Sequence, residues 1–421
     1  MKYYTIEKKK NLSGSVSISG AKNSVLPLIC LSILSKEDFK LSNVPCVDDV
    51  NTLLDLLSKL GAKSTKVENG SLTISSKSIN STTAIYDIVK KMRASILVMG
   101  PLLARFGHCE ISLPGGCAIG ERPIDLHLKA MEALGAKINI MNGYVQVSAP
   151  NGLKGGTIVF DKITVTGCEN AIMASALANG TTTIINCARE PEVVQLCEAL
   201  QSAGIKIKGV GTSELVIQGN NQQLLTFNDI RVIPDRIEAG TFLTIGAISQ
   251  EPLTIKNICK EHLTSVLDKL EEMGCSLSYG SNEITIVGPN KLKSVNIVTT
   301  EYPGFPTDMQ AQFMAALIKA KGTSTITETL FENRFMHVAE LRRIGANINI
   351  NGNTATIIGV ENLSGTDVMA TDLRASASLI IGALQASGQT SLHRVYHLER
   401  GYDAMSSKLA ALGLDITIKH E

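Results

Sequence analysis

At 421 residues the chain is long enough for two or three domains, and 44% hydrophobic with 19% charged side chains is an ordinary soluble, globular composition. With 40 Lys plus Arg against 39 Asp plus Glu the formal net charge is +1, which excludes a general basic field for nucleic acid and an acidic tail. The longest greasy stretch, Val25 to Leu34, is too short to cross a bilayer, and nine cysteines without Cys-x-x-Cys pairs argue for reduced thiols and against a structural zinc.

No apolar run follows the charged start MKYYTIEKKKNLSG, so the expected setting is the cytoplasm, with neither a membrane nor a nucleic acid as partner. Neither a G-x-x-x-x-G-K nor a G-x-G-x-x-G loop is present, so a phosphate site has to be built another way.

In chain order, six blocks share one ending, LSKLGAKSTKV, MEALGAKINI, LQSAGIKIKG, LEEMGCSLSY, LRRIGANINI and LAALGLDITI, with Gly61, Gly135, Gly204, Gly274, Gly345 and Gly413 at the same place in each. The spacing is about seventy residues, so six repeats account for the whole chain. The earlier half of each repeat is an apolar helix followed by a short β-branched strand, as in Arg93-ASILVMGPLLARFGHCEIS, Asn170-AIMASALANGTTTIIN, Asp308-MQAQFMAALIKAKGTSTITE and Asp372-LRASASLIIGALQASGQTSLH. These first helices are greasy nearly all round, whereas the second helix of each repeat is amphipathic. Each unit therefore reads helix, strand, helix, strand, strand, an α/β unit with buried inner helices.

The second repeat carries a glycine-rich loop, Leu113-Pro-Gly-Gly-Cys-Ala-Ile-Gly-Glu-Arg-Pro-Ile-Asp-Leu-His127, running into a helix near Pro123. It is about four residues longer than the matching segment of the other repeats, and an elaboration the scaffold does not need is where function is expected. Free cysteines are ordinarily buried and inert. Cys117 differs in its glycine-rich setting and in having Arg122 nearby, which favours the thiolate.

The inner helices begin at Lys22, Arg93, Glu169, Asp235 with Arg236, Asp308, and Asp372 with Arg374, while the later loops add Arg189 with Glu190, Arg334 and Arg400 at matching places. Helix N-termini offer unpaired N–H groups and a positive dipole end, which suit anions. Helix caps and surface charges are the competing explanation for such residues, and Asp308 in particular sits where an N-cap is expected. Taken together, the residues imply a two-lobed α/β protein with Arg, Lys, Asp and one Cys converging on a cleft for small polyanionic substrates, worked by acid/base chemistry without metal.

Gly20-Ala-Lys-Asn23, Arg93-Ala-Ser, Pro114-Gly-Gly-Cys-Ala-Ile-Gly with Arg122-Pro-Ile-Asp-Leu-His127, Phe305-Pro-Thr-Asp-Met-Gln-Ala-Gln312, Glu332-Asn-Arg-Phe-Met-His337, Asp372-Leu-Arg-Ala-Ser376 and Arg400-Gly-Tyr402 occur in that order. Together they resemble the enolpyruvyl transferases, on the branch that uses UDP-N-acetylglucosamine and opens bacterial peptidoglycan synthesis. The resemblance implies an inside-out α/β barrel fold in two domains with three repeats each. One domain is discontinuous, residues 1–21 plus 232–421, and the other spans 22–231. It implies transfer of the enolpyruvyl group of phosphoenolpyruvate to the 3′-hydroxyl of UDP-N-acetylglucosamine with loss of phosphate, and no cofactor.

The same resemblance implies roles for single residues. Cys117 matches the general acid, a thiol that forms covalent adducts with phosphoenolpyruvate or the epoxide fosfomycin, and Asp308 the base facing the sugar hydroxyl. Lys22, Arg122 and Arg400 match the cations around phosphate and carboxylate. Asn23, Arg93, the run Arg122, Pro123, Ile124, Asp125, Leu126, the run Lys162, Ile163, Thr164, Val165, and Leu330 match the nucleotide-sugar contacts. Arg334, Asp372 and Arg374 match supporting positions. Glu121 departs from the family pattern, which has a small residue there, and puts a carboxylate beside Arg122.

Two other functions compete. A shikimate 3-phosphate enolpyruvyl transferase shares the fold and phosphate chemistry but not the Pro-Gly-Gly-Cys loop. A catalytically silent sugar-nucleotide sensor would not need Lys22, Cys117, Asp308 and Arg400 together. Nothing in the residues sets an oligomeric state, and a monomer is the expectation.

Overall fold

The computed structural model describes residues 2–7, 12–113 and 124–420. Cys117, Glu121, Arg122 and Pro123 lie outside the described residues. The rest of the chain divides into two compact units, one over residues 20–233 and the other over residues 2–19 with 234–420.

Among the described residues each unit holds three four-stranded sheets, and all six sheets share one topology. Thr157–Val159 lies parallel to Thr181–Ile185, which pairs antiparallel with Glu214–Gln218, which pairs antiparallel with Lys206–Lys208. The order of Asn296–Val298, Thr323–Thr327, Thr354–Ile358 and Asn347–Asn351 is identical. Each repeat therefore begins with a short strand that the helix, strand, helix, strand, strand reading lacked. The reason is length: Thr157–Val159, Asn296–Val298 and Asp367–Met369 each bury one central side chain between two exposed ones, which is too little pattern to register as a strand.

Three strands reach their sheets from far along the chain. Ile230–Arg231 joins Phe39–Ser42 and completes the first sheet of its unit. Gly14–Ser17 takes the same place beside Leu253–Lys256, and Lys2–Glu7 sits between Gln389–His393 and Asp415–His420. Each unit is thus closed by a segment from its opposite end.

The inner helices are buried as their composition requires. All eight residues of Gln310–Leu317 and all nine of Ala375–Ala383 are out of solvent, and in Val165–Ala176 only the first two are not. The outer helices bury one stripe, Val266, Leu267 and Leu270 in Thr264–Glu272 and Val338, Leu341 and Ile344 in His337–Ile344.

Two backbone features place the loops. The six repeat glycines follow the outer helices with φ between 87° and 109°, a left-handed turn a Cβ would strain. Asn43, Asn186 and Asn257 also take positive φ directly after the middle strand, and their side-chain amides donate to the carbonyls of Val232, Phe160 and Ile18 at the ends of the parallel edge strands. At the same position the two repeats that carry Cys117 and Arg334 have Leu113 and Glu328 instead.

Candidate active site

In the unit of residues 234–420, Phe305-Pro-Thr-Asp leads into a short 3-10 turn, Thr307–Met309, that continues as Gln310–Leu317. Asp308 does not cap it: Pro306 holds the cap position, with no side-chain bond. The Asp308 carboxylate instead accepts from Arg334 Nη2 at 2.6 Å and from Arg374 Nε at 3.4 Å. Asp235, at the start of the inner helix Arg236–Ala247 of another repeat, does act as a cap: its Oδ1 accepts from the amides of Ile237 and Glu238.

Both arginines are buried, whereas the Asp308 side chain remains 26% exposed, so this carboxylate is the solvent-facing end of the cluster. Arg334 also donates to Thr307 Oγ1 at 3.0 Å. Arg374 reaches Asp235 at 3.8 Å and the Gly401 carbonyl at 3.4 Å, and its guanidinium lies over the Tyr402 ring. Burial alone would lower the Arg374 guanidinium, but Asp235, Tyr402 and Asp308 outweigh it and hold it above its usual value. It is a permanent buried cation, matched by two carboxylates.

Sequence reasoning missed the residues that fix this cluster. The buried Glu328 carboxylate accepts from Thr299 Oγ1, Thr307 Oγ1 and the amides of Leu330 and Phe331, so it ties the segment of Leu330 to the turn of Asp308. Gln312 Nε2 donates to the Asp308 carbonyl, Thr241 Oγ1 and Tyr402 Oη. The signals in sequence were that Gln312 ends the Phe305–Gln312 motif, where it was given no role, and that Glu328 lies four residues before Glu332-Asn-Arg. Asp372 behaves as a cap, with Oδ1 accepting from the amides of Arg374 and Ala375. Arg400 is half-buried, one residue before the Gly401 carbonyl that receives Arg374.

His337 packs beneath this cluster, 1% exposed, with no hydrogen-bond partner at either ring nitrogen among the described residues. Burial, helped by Arg334 and opposed by Asp372, lowers its pKa to about 4. An unfolded histidine titrates near 6.5, so between these values the unfolded chain binds a proton the folded one refuses. Stability is then complete above pH 6.5 and falls, by an amount on the order of 3 kcal/mol from this group, as pH drops toward 4. Glu238, raised to about 7 by burial against the pull of its ion partner Lys408, acts the opposite way, losing stability as pH rises from about 4.5. Urea unfolding of wild type and His337→Leu at pH 7.5 and 5 isolates the histidine: the variant is expected to show the smaller loss, and equal losses would refute this account.

In the unit of residues 20–233, Lys22 is the first residue of Lys22–Leu31, and its Nζ lies 3.4 Å from Asp49, which is buried in the first turn of Asp48–Lys59. Asn23 beside it and Arg93, which opens the 3-10 helix Arg93–Val98, are both half-buried. Thr164 caps Val165–Ala176 by accepting from the Gly167 amide, with Lys162 exposed and Ile163 and Val165 half-buried beside it. Ile124 is buried, Asp125 exposed and Leu126 half-buried where Asp125–Ala133 begins. Helices Asp125–Ala133 and Val165–Ala176 pack together, so these two runs of expected nucleotide contacts belong to neighbouring helix starts.

Glu169 departs from the expectation that it heads an inner helix. It lies in the second turn of Val165–Ala176, 1% exposed, near Glu192 and Glu190. Burial, with Glu192 and Glu190 nearby, pushes it well above the usual carboxylate range. Of the eight described cysteines six are buried, and burial pushes Cys109, Cys197 and Cys275 up to about 12. They are packing residues.

The family model of EPSP synthase (3-phosphoshikimate 1-carboxyvinyltransferase) matches residues 6–409. A protein of Aliarcobacter butzleri named UDP-N-acetylglucosamine 1-carboxyvinyltransferase is 59% identical over 417 residues, 99% of each chain. One of the same name from Campylobacter jejuni is 57% identical over 99% of each. Among solved structures, the enolpyruvyl transferase NikO from Streptomyces tendae superposes with a TM-score of 0.89 at 25% identity, covering 99% of both chains. EPSP synthase from Acinetobacter baumannii superposes with a TM-score of 0.79 at 18% identity over the full length of both, a likeness of fold.

Proposed function

This chain belongs to the EPSP synthase family of enolpyruvyl transferases, and from that premise we infer that it moves the enolpyruvyl group of phosphoenolpyruvate onto the 3′-hydroxyl of UDP-N-acetylglucosamine, releasing phosphate. The observation that carries the choice of acceptor is the 59% identity, over 99% of both chains, with a relative named for UDP-N-acetylglucosamine. The product is the first intermediate committed to peptidoglycan. A shikimate acceptor has less support, because the likeness to EPSP synthase is one of fold at 18% identity.

The chemistry sets what the residues have to do. The sugar oxygen loses its proton and bonds to C2 of phosphoenolpyruvate while C3 gains a proton, which gives a tetrahedral phospho-ketal. Loss of phosphate and of a C3 proton then yields the enol ether, so the site needs an acid and a base. We assign Asp308 as the base at the sugar hydroxyl, with Arg334 and Arg374 holding its carboxylate in one orientation. Cys117 is the acid that protonates C3. Lys22, Arg122 and Arg400 take the phosphate and carboxylate, where fixed cations stabilise the charge that develops. Arg122 and Arg400 bind by planar forks and Lys22 as a point charge.

For the nucleotide sugar we assign Asn23, Arg93, Arg122 to Leu126, Lys162 to Val165 and Leu330. The reaction runs in the cytoplasm, as a monomer and without cofactor.

Phosphate release from phosphoenolpyruvate tests this directly. Release is expected with UDP-N-acetylglucosamine and not with shikimate 3-phosphate, and fosfomycin is expected to stop it. Release with shikimate 3-phosphate alone would transfer the protein to the other branch; no release with either would make it a binding protein.

A further inference from the structure

Asn170 is fully buried inside Val165–Ala176, and its side chain bonds to three other elements. Its Oδ1 accepts from the Gly100 amide at 2.8 Å, in the first turn of Met99–Phe106 where helical N–H groups lack partners of their own. A backbone amide can only donate, so this bond fixes which way the Asn170 amide points. Nδ2 therefore faces the Ile96 carbonyl at 2.9 Å and the His127 ring nitrogen Nδ1 at 2.8 Å. His127 Nδ1 must accept, which places the ring proton on Nε2, 3.3 Å from Thr166 Oγ1.

The contact is built for. A Cβ at Gly100 would lie 2.4 Å from the Asn170 carbonyl oxygen, so only glycine lets the two helices approach this closely. His127 is 2% exposed, so although it ends the Arg122–His127 motif its ring points into the protein.

The three elements joined in this way carry the expected sugar-nucleotide contacts of this unit other than Asn23 and Arg122. Ile96 lies three residues after Arg93 in the same 3-10 helix, His127 directly follows Ile124 to Leu126, and Asn170 lies one turn beyond Lys162 to Val165. We propose that Asn170, acting through His127, Ile96 and Gly100, is a positioning residue that holds these three segments in register for the sugar nucleotide. The inference rests on the reading of function above and adds to it a residue that touches no substrate.

Three variants test it, each checked for folding by thermal melting. Asn170→Asp keeps the shape and the acceptor for Gly100 but loses the donor to Ile96 and His127. His127→Leu loses the acceptor for Asn170, and with it the Nε2 contact to Thr166. His127→Asn restores the acceptor, because Asn Oδ1 stands close to where Nδ1 stood. The KM for UDP-N-acetylglucosamine, and its Kd by calorimetry without phosphoenolpyruvate, are expected to rise about tenfold or more in Asn170→Asp and His127→Leu and to return to within about threefold of wild type in His127→Asn. The KM for phosphoenolpyruvate is expected to change less than about twofold, which a general loss of structure would not produce. Folded Asn170→Asp or His127→Leu proteins with wild-type affinity, or equal changes in both KM values, would overturn the proposal. If Asn170→Asp fails to fold, the two His127 variants decide. A wild-type protein that neither binds nor uses UDP-N-acetylglucosamine would overturn the functional reading and this inference together, whereas an active wild type with unaffected variants overturns only the inference.

Discussion

Asp308→Asn is expected to lower turnover about a thousandfold, within the range that general acid–base groups contribute, with the KM for UDP-N-acetylglucosamine changed far less. Asparagine keeps the size of the side chain and an oxygen for Arg334, so the loss isolates the base. Asp308→Ala makes the useful contrast. It takes from the buried Arg334 and Arg374 a carboxylate that both contact, and leaving buried charge short of its partner destabilises by roughly 3–5 kcal/mol. Asp235 still faces Arg374, so the lower end of that range is expected. Alanine should therefore lose both activity and melting temperature, asparagine chiefly activity. Asparagine with near-normal turnover would remove Asp308 from the role of base.

Cys117→Ala is expected to abolish or nearly abolish turnover and to block modification by fosfomycin, while binding of UDP-N-acetylglucosamine persists in calorimetry. Cys117→Asp is expected to keep measurable turnover and escape fosfomycin, because a carboxylic acid can deliver a proton but attacks an epoxide poorly. Mass spectrometry after fosfomycin treatment reads the adduct directly. The eight described cysteines make a severe control, since six are buried and a reagent that needs thiolate should pass them by. An adduct on the Cys117→Ala protein, or normal turnover in it, would reject the assignment.

Much of this architecture could be read before any coordinates. The six repeat glycines marked units of about seventy residues, and each glycine ends an outer helix at the same place in its repeat. Helices greasy on every side announced inner helices, and Ala375–Ala383 is buried throughout. The short edge strands could not be read, because one buried residue in three carries no periodicity and the pairing of Ile230–Arg231 with Phe39–Ser42 spans nearly a whole unit. Local pattern predicts what a segment is, not what it meets.

The same division runs through the site. Sequence alone identified Asp308, Arg334 and Arg374 as candidates, because a charged residue at one place in a repeat is conspicuous. It left Asp308 divided between helix cap and base, since a cap and an ion pair both begin as a carboxylate near a helix start. The tertiary structure excludes the cap, by bringing two arginines, 26 and 66 residues away, onto that carboxylate and leaving the cap position to Pro306. Glu169 went the other way: expected at the start of an inner helix, it lies one turn further on in the core, where burial pushes its carboxyl well above the usual range. Asn170 bore no charge and stood in a greasy helix, so sequence took it for part of a buried face. Its bonds to Ile96, Gly100 and His127 exist because three helices pack around it, and an amide out of reach of water must find its partners there.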